Sequence, residues 1–429
     1  MSLIYDWNRV EAPRKPALVL LADETLRDGL QSPSVRCPTI DEKLRILDLM
    51  EALRMDAADI GLPGAGAHVA ADVSRLAREI ADRRLSIRPY CAARTLNADI
   101  APIVEISQEA GVAIEVAAFI GSSQIRQLVE GWSLEFLERA TEEAVSLAVR
   151  EKLPVLYVTE DTTRAHPDTL RRLYGAAIRA GAGRVCVADT VGHATPEGAA
   201  AVVRFVGRIV AECGGGVDID WHGHRDRGFA VLNSLAALHA GATRVHATAL
   251  GVGERAGNTP MDLLLINLAL LGYVERDLST LREYCEYVSR TFGVPIPANY
   301  PAFGRDAFRT ATGVHAAAVI KALHRGDRAL ADAVYCSIPA SLVGREQQID
   351  VGPMSGRSNV EYWLELRGIA AEAALVERIL DRAKQSPAVL TDQEILALVD
   401  EQQGEPRPEA GGRQRRSSRG TKSRASAPT

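Results

Sequence analysis

The sequence predicts a (β/α)8 barrel as the main body of the chain, on three observations. Eight short apolar runs rich in β-formers recur between residues 17 and 250. Each is followed by a stretch of helical periodicity, and polar, glycine-rich clusters gather at one end of the runs. The runs lie at 17–22, 57–61, 86–91, 113–119, 153–159, 184–188, 217–221 and 243–250. Nearly continuous apolar strands need cover on both faces, as in parallel sheets. The stretches between them, such as TIDEKLRILDLMEALRM and TPEGAAAVVRFVGRIVAE, place apolar residues at i, i+3 and i+4. They open on Thr, Asp or Pro, residues that start helices. A doubly wound open sheet shares this local pattern.

A barrel makes a further demand, because its chemistry sits at the C-terminal ends of the strands. The first run is followed by DETLRDG, the second by GLPGAG, the fifth by TEDTTR, the sixth by DTVGHATP, the seventh by HGHRDRG and the eighth by GVGERAGN. The opposite loops, such as AGAGR and AGATR, are short and carry no such clusters. This one-sided loading points to an enzyme.

With 429 residues, 47% apolar and 24% charged, the chain has material for a large core and for more than one domain. We expect a barrel over 1–275, small mostly helical C-terminal subdomains over 276–403 and a disordered tail over 404–429. The formal charge of −5 conceals that tail, where seven Lys or Arg stand against Glu405 and Glu409. Its Gly, Ser and Pro content cannot bury a core, and with no interleaved aromatic residue it reads as a solvated extension, not a nucleic-acid contact. No stretch approaches the roughly 18 apolar residues of a membrane span, and the N-terminus lacks the order of a signal peptide. A cytoplasmic location is the expectation. Cys37, Cys91, Cys186, Cys213, Cys285 and Cys336 form no C-x-x-C pair, so neither a zinc knuckle nor a disulfide framework is indicated.

His222 and His224, at i and i+2 where the seventh strand ends, point to one side of an extended backbone. Asp28 follows the first strand and Asn258 the eighth, and in a closed barrel these three strands are neighbours. Two imidazoles with oxygen ligands suit Mg²⁺, Mn²⁺ or Zn²⁺ acting as a Lewis acid on a carbonyl. Asp23 and Glu24 are expected either to orient Arg27 and cap the turn or to act directly in catalysis, His246 to pack inside the barrel, and Asp189 to cap a helix in preference to touching substrate.

The set ETLRDGLQ, DTVG, HGHRDRG and GVGERAGN, in that order, resembles the metal-dependent carbon–carbon bond enzymes that include 2-isopropylmalate, homocitrate and citramalate synthases and 3-hydroxy-3-methylglutaryl-CoA lyase. TGVHAAAVIK and VYCSIPASLVGREQQIDVGPMSGRSNV resemble the C-terminal subdomains of the synthases, so the likeness spans about residues 17–370. GVGERAGN favours the synthase branch, since a lyase is expected to carry a cysteine in that loop.

The resemblance implies condensation of acetyl-CoA with a 2-oxo acid and release of CoA. It implies a metal on Asp28, His222, His224 and Asn258, and Arg27 stabilising the reacting oxygen. Thr190 would contact the substrate carboxylate, with Gln31 and Glu160 lining that pocket. His315 and Tyr335 would activate acetyl-CoA, reaching into the partner's barrel in a homodimer. The nearest reading is a 2-isopropylmalate synthase-like enzyme; homocitrate, citramalate and phosphonomethylmalate synthases, a lyase and a non-catalytic barrel scaffold are the alternatives. The chain departs from the family at Arg225 and Arg227, which would set two guanidinium groups beside the metal cluster. It departs again where Ala117 or Ala118 replaces a histidine common in isopropylmalate synthases. We also expect no additional domain of the kind that confers leucine feedback.

Overall fold

The computed structural model describes residues 3–10 and 13–404. Strands and helices alternate as β1 (Leu20–Asp23), α1 (Ile40–Ala52), β2 (Ala57–Asp59), α2 (Ala67–Arg83), β3 (Arg88–Arg94), α3 (Asn97–Ala110) and β4 (Glu115–Gly121). After α4 (Gln124–Glu130) and α5 (Leu134–Arg150) come β5 (Val155–Glu160), α6 (Pro167–Arg179), β6 (Arg184–Asp189), α7 (Pro196–Glu212), β7 (Asp218–Gly223), α8 (Ala230–Ala240) and β8 (Arg244–Ala247). The eight strands form a closed barrel in chain order, and β1 pairs in parallel with both β2 and β8. The (β/α)8 expectation is met, and the open sheet is excluded by the β1–β8 ladder.

The period of two decides which side chains face inward. Along β4, Val116, Ala118 and Ile120 join the layer between strands and helices, while Ala117 packs inside the barrel with Ala22, Ala57, Tyr90, Leu156 and Cys186. Helices close the outer layer with one apolar stripe each, as α2 does with Val73, Leu76, Ala77 and Ile80.

Several strands extend past their apolar runs: β3 reaches Arg94 and β7 reaches Gly223, because polar residues at the mouth continue the ladder. By contrast β8 stops at Ala247, short of the expected 250, where the chain turns into a 3₁₀ segment with Leu250 at φ 55°.

The chain groups into two compact units, one holding the residues up to Phe308 with Tyr335–Gln347, the other Arg309–Val334 with the residues from Gln348 on. The first adds α9 (Met261–Leu270) and α10 (Leu281–Phe292) to the barrel. In the second, the two-residue strand Arg309–Thr310 pairs in parallel with Gln348–Ile349. Its helices are α11 (Gly313–His324), α12 (Arg328–Tyr335), α13 (Arg357–Glu365), α14 (Ala373–Gln385) and α15 (Asp392–Gly404). A Cβ on Gly313 would lie 2.6 Å from the Gly356 nitrogen, so the start of α11 can approach that backbone only as glycine. Residues 405–429 of the expected tail lie outside the described residues. Among the described residues no helix is long and apolar enough to cross a membrane.

The barrel is plugged on its N-terminal side by charge. Asp220 lies 2.6 Å from Arg184 and 2.6 Å from Arg244, and Arg244 reaches Glu115 at 2.7 Å, with Arg244 and Asp220 almost wholly buried. Removing one partner of a buried pair leaves an uncompensated charge, which costs about 3–5 kcal/mol. Arg244→Met should therefore lower unfolding free energy by that order in denaturant titrations; a loss below about 1 kcal/mol would mean water reaches this layer.

Candidate active site

At the end of β1 the alternation carries Asp23 outward and Glu24 inward. Asp23 accepts from the Thr25 nitrogen at 2.9 Å and from the Tyr284 hydroxyl of α10, and it makes no bond to Arg27. The expected Asp23–Arg27 pairing is thus corrected: Asp23 anchors the turn to α10. The partner that sequence reasoning missed is Asp59, at the end of β2, whose Oδ2 accepts from Arg27 Nε at 2.7 Å. Arg27 also lies 3.4 Å from Glu24 and 3.4 Å from Asp28. Burial disfavours the guanidinium charge, but Asp28, Asp59 and Glu24 hold its pKa well above the ordinary range. It is a fixed cation.

His222, on β7, and His224, one residue past it, face each other with their Nε2 atoms 3.1 Å apart. Asp28 Oδ2 lies 3.5 Å from His222 Nε2 and 3.8 Å from His224 Nε2. Glu24 Oε2 sits 2.8 Å from His222 Nδ1, and the ring's other nitrogen, Nε2, is the one that faces Asp28 and His224. Burial, then the neighbouring His222, push the His224 pKa down to about 4, so it is a neutral imidazole near pH 7. Burial raises Asp28, but Arg27 and His222 outweigh it and hold the carboxyl below its usual range.

Asn258 donates its amide to Asp28 Oδ2, while its buried Oδ1 has no hydrogen-bond partner among the described residues. A Cβ on Gly253 would fall 1.9 Å from that oxygen, so the loop leaves room for it only as glycine. Two imidazole nitrogens, a carboxylate and an orphaned amide oxygen form a donor set that fits a divalent cation. The separations are near the roughly 3 Å expected of adjacent ligands on metal bonds of about 2.1 Å.

His246 of β8 takes no part in this set. Its Nδ1 lies 2.9 Å from Glu24 and its Nε2 2.9 Å from Asp220, so both ring nitrogens are engaged inside the barrel. Burial lowers its pKa, but Glu24 and Asp220 outweigh it and hold it up to about 9.

The cluster opens into a cavity of about 220 Å³, lined among others by Arg27, Asp28, Gln31, Glu160, Thr190, His222 and His224. Asn258 stands behind the carboxylate and is not part of the lining. His315 is exposed in the first turn of α11 in the second unit, and Tyr335 is exposed at the end of α12. Neither lines this cavity. Glu254, in the loop after β8, lines the cavity and was not singled out in the sequence. Its signal was its place in GVGERAGN.

The guanidinium groups of Arg225 and Arg227 are not beside the cluster. Arg225 donates to the Ala256 carbonyl at 2.6 Å and the Leu250 carbonyl at 3.2 Å, and Arg227 to the His193 carbonyl at 2.6 Å. Asp189 accepts from Thr163 Oγ1 at 2.7 Å and from the nitrogens of His193 at 2.9 Å and Ala194 at 3.2 Å. It ties the loop after β6, while the cap of α7 is Thr195.

A family model described as HMGL-like matches residues 19–288. A probable 2-isopropylmalate synthase of Methanopyrus kandleri is 35% identical over 376 residues, spanning 86% of this chain and 70% of that one. A homocitrate synthase of the same organism is 34% identical, spanning 86% of this chain and 88% of its own length. The structure of HMG-CoA lyase from Bacillus subtilis superposes with a TM-score of 0.55 at 19% identity, over 67% of this chain and 97% of that one, a likeness of fold.

The His246 site generates a pH dependence. Its pKa rises from about 6.5 in an unfolded chain to about 9 in the fold. The stabilisation it contributes is therefore complete below the unfolded value and is lost as pH rises through about 9. Denaturant titrations should show stability falling over that window by up to about 1.4 kcal/mol per pH unit, with the fall flattened in His246→Asn. An equal slope in the variant would assign the titration to another group.

Proposed function

The chain belongs to the HMGL-like family, and on that premise we propose that its barrel condenses acetyl-CoA with a 2-oxo acid and releases CoA. This is the activity of the 2-isopropylmalate, homocitrate and citramalate synthase group, and the 2-isopropylmalate synthase-like reading is the finer proposal. The observation that carries it is the convergence, in one cavity, of Arg27 with Asp28, His222 and His224, with Asn258 directly behind Asp28.

Asp28, His222, His224 and Asn258 would hold Mg²⁺, Mn²⁺ or Zn²⁺. When bound, such an ion supplies Lewis-acid polarisation of the keto group of the 2-oxo acid. Arg27 faces the oxygen on which negative charge grows as the new carbon–carbon bond forms. Because three carboxylates already fix its orientation, little reorganisation accompanies that charge. Thr190 Oγ1 accepts from the Asp161 nitrogen at 2.8 Å, which leaves its own proton to donate to the substrate carboxylate. Gln31 and Glu160 line the same cavity; burial raises the Glu160 pKa, which suits it to take or return a proton.

Removal of a proton from the acetyl-CoA methyl group is assigned to His315 assisted by Tyr335, acting on the partner's barrel in a homodimer. This assignment rests on the family resemblance of TGVH and of the segment around Tyr335. A soluble cytoplasmic enzyme of amino-acid biosynthesis, in the leucine branch, is the corresponding cellular reading.

Three measurements test this. EDTA should abolish CoA release from acetyl-CoA and a 2-oxo acid, and Mn²⁺ should raise the melting temperature of wild type but not of His224→Ala; full turnover in chelated buffer removes the metal from the proposal. Arg27→Ala should lower kcat by about 10² to 10³, the usual effect of deleting one preorganised donor to an oxyanion, and Lys should restore only part because it lacks the planar fork. Excess Mn²⁺ should partly rescue Asp28→Asn and do nothing for Arg27→Ala. A metal rescue of Arg27→Ala would make that arginine a structural partner of Asp59 alone.

A further inference from the structure

A second cavity lies at the opposite end of the barrel from the ligand cluster. It measures about 490 Å³ and is built where α2 ends and where β3, β4, β5 and β8 begin. No residue lines both this cavity and the catalytic one. Arg84, Arg88 and Arg244 line it against one carboxylate residue, Glu115, and the walls are otherwise mainly apolar, with Leu85, Ile87, Val112 and Pro154 among them. We propose that this cavity is a binding site for a small organic acid, its carboxylate held by the arginines and its hydrocarbon body laid on those walls. The site stands apart from the condensing chemistry and does not depend on that reading.

The charge balance favours an anion. Arg244 is 2% exposed, and its Nε donates to Asp220 at 2.6 Å and its Nη2 to Glu115 at 2.7 Å. Its Nη1 has no hydrogen-bond partner among the described residues. A guanidinium offers five N–H donors in a fixed fork, and leaving some of them unpaired in a buried place is costly. An oxyanion entering the cavity would accept from Nη1. Glu115 is already taken up by Arg244 and cannot serve the other two arginines as well. Arg84 and Arg88 form no ion pair among the described residues. Their isolation is local: on α2 itself Arg75 lies 2.6 Å from Glu79, Arg78 3.3 Å from Glu109 and Arg83 2.5 Å from Asp48.

The backbone fixes where the two unpaired arginines start. α2 ends on Arg84 at φ 53°, the left-handed position that glycine usually fills, with its nitrogen donating to the Ala81 carbonyl at 3.2 Å. Arg88 opens β3, and its nitrogen donates to the Asp56 carbonyl at 3.1 Å. Between them Leu85 is half-buried and Ile87 is buried, so apolar wall and cation alternate over five residues. An inorganic anion would engage the arginines and leave the walls unmatched, and a neutral hydrocarbon would do the reverse. An acid with a hydrocarbon body meets both.

The test is calorimetric binding of 4-methylpentanoate to the whole chain. Saturable binding is expected, with acetate and inorganic phosphate weaker by about ten-fold or more because they lack the apolar contact, and with the neutral 4-methylpentanamide not bound. Arg27 in the catalytic cavity is the other cation open to a carboxylate, so both cavities are varied. Binding should persist in Arg27→Ala and fall by about ten-fold or more in Arg84→Glu and in Arg88→Glu. Both arginines are exposed, and an unchanged melting temperature reports that the variants are folded; Arg84→Ala and Arg88→Ala give the same comparison if they are not. Binding that survives the Arg84 and Arg88 variants and is lost in Arg27→Ala places the acid in the catalytic cavity and overturns the proposal. So does equal affinity for the amide, or the absence of saturable binding at millimolar acid.

Discussion

The barrel interior depends on matching every buried carboxylate with a cation or a shared proton. Read from the N-terminal side, Glu115 meets Arg244, Arg244 meets Asp220, Asp220 meets His246 and His246 meets Glu24. Glu24 then meets His222, whose far nitrogen faces Asp28 beside Arg27, and Arg27 ends on Asp59. Carboxylates alternate with nitrogen groups along the whole axis. Desolvating any one of these ions alone would cost several kcal/mol, so each link is stable only because the next is present. Stability and site geometry are consequently one problem here: the network that makes the charged interior tolerable also positions the His222 ring and the plane of Arg27.

Closure of the sheet places that network. Glu115 of β4 apart, the contributing strands are first, second, seventh and eighth in the chain, and in an open sheet in sequence order they would lie at opposite edges. Pairing of β1 with β8, four residues long, brings them into one arc and leaves β3–β6 as the opposite arc. The polar arc tolerates its charges because they neutralise one another, and at the mouth the opposite arc is mainly apolar, with Glu160 of β5 as its carboxylate in the cavity lining. A barrel with this division presents a ligand with one ionic and one hydrocarbon side.

Much of this was legible in the sequence because it obeys short periods. The eight runs and their polar ends gave the architecture, and the i, i+2 spacing gave His222 and His224, which the structure does bring face to face. What escaped has a physical reason in each case. Asp59 sits inside AADIG with no charged neighbour, so nothing local distinguishes a structural carboxylate from one that reaches across to Arg27. Asp23 and Glu24 are adjacent, and only the inward or outward phase of β1 separates an anchor to Tyr284 from a partner of His222 and His246. Arg225 and Arg227 were misplaced because sequence proximity to His224 says nothing about where a long side chain ends. Both run to backbone carbonyls. The choice between Ala117 and Ala118 is again a matter of phase, and β4's register decides it.

Arg225 bears on how the site stays in place. Leu250, at φ 55°, occupies a left-handed conformation that costs a non-glycine residue about 1 kcal/mol or more and persists only where its surroundings over-determine it. They do so from both sides. Its nitrogen donates to Asp262 at 2.9 Å and its carbonyl accepts from Arg225, which also holds Ala256. The backbones of residues 251 and 257 come so close that a Cβ on Gly257 would overlap the Gly251 carbonyl, and the Asn258 nitrogen donates to that carbonyl at 3.0 Å. The turn therefore folds tightly around the arginine, and Asn258 emerges from it with its side chain already directed at Asp28. A guanidinium that looked from its position like part of the chemistry serves as the clamp of a glycine-rich loop, and the Asn258 amide that this loop presents is what holds Asp28 in place behind the cavity.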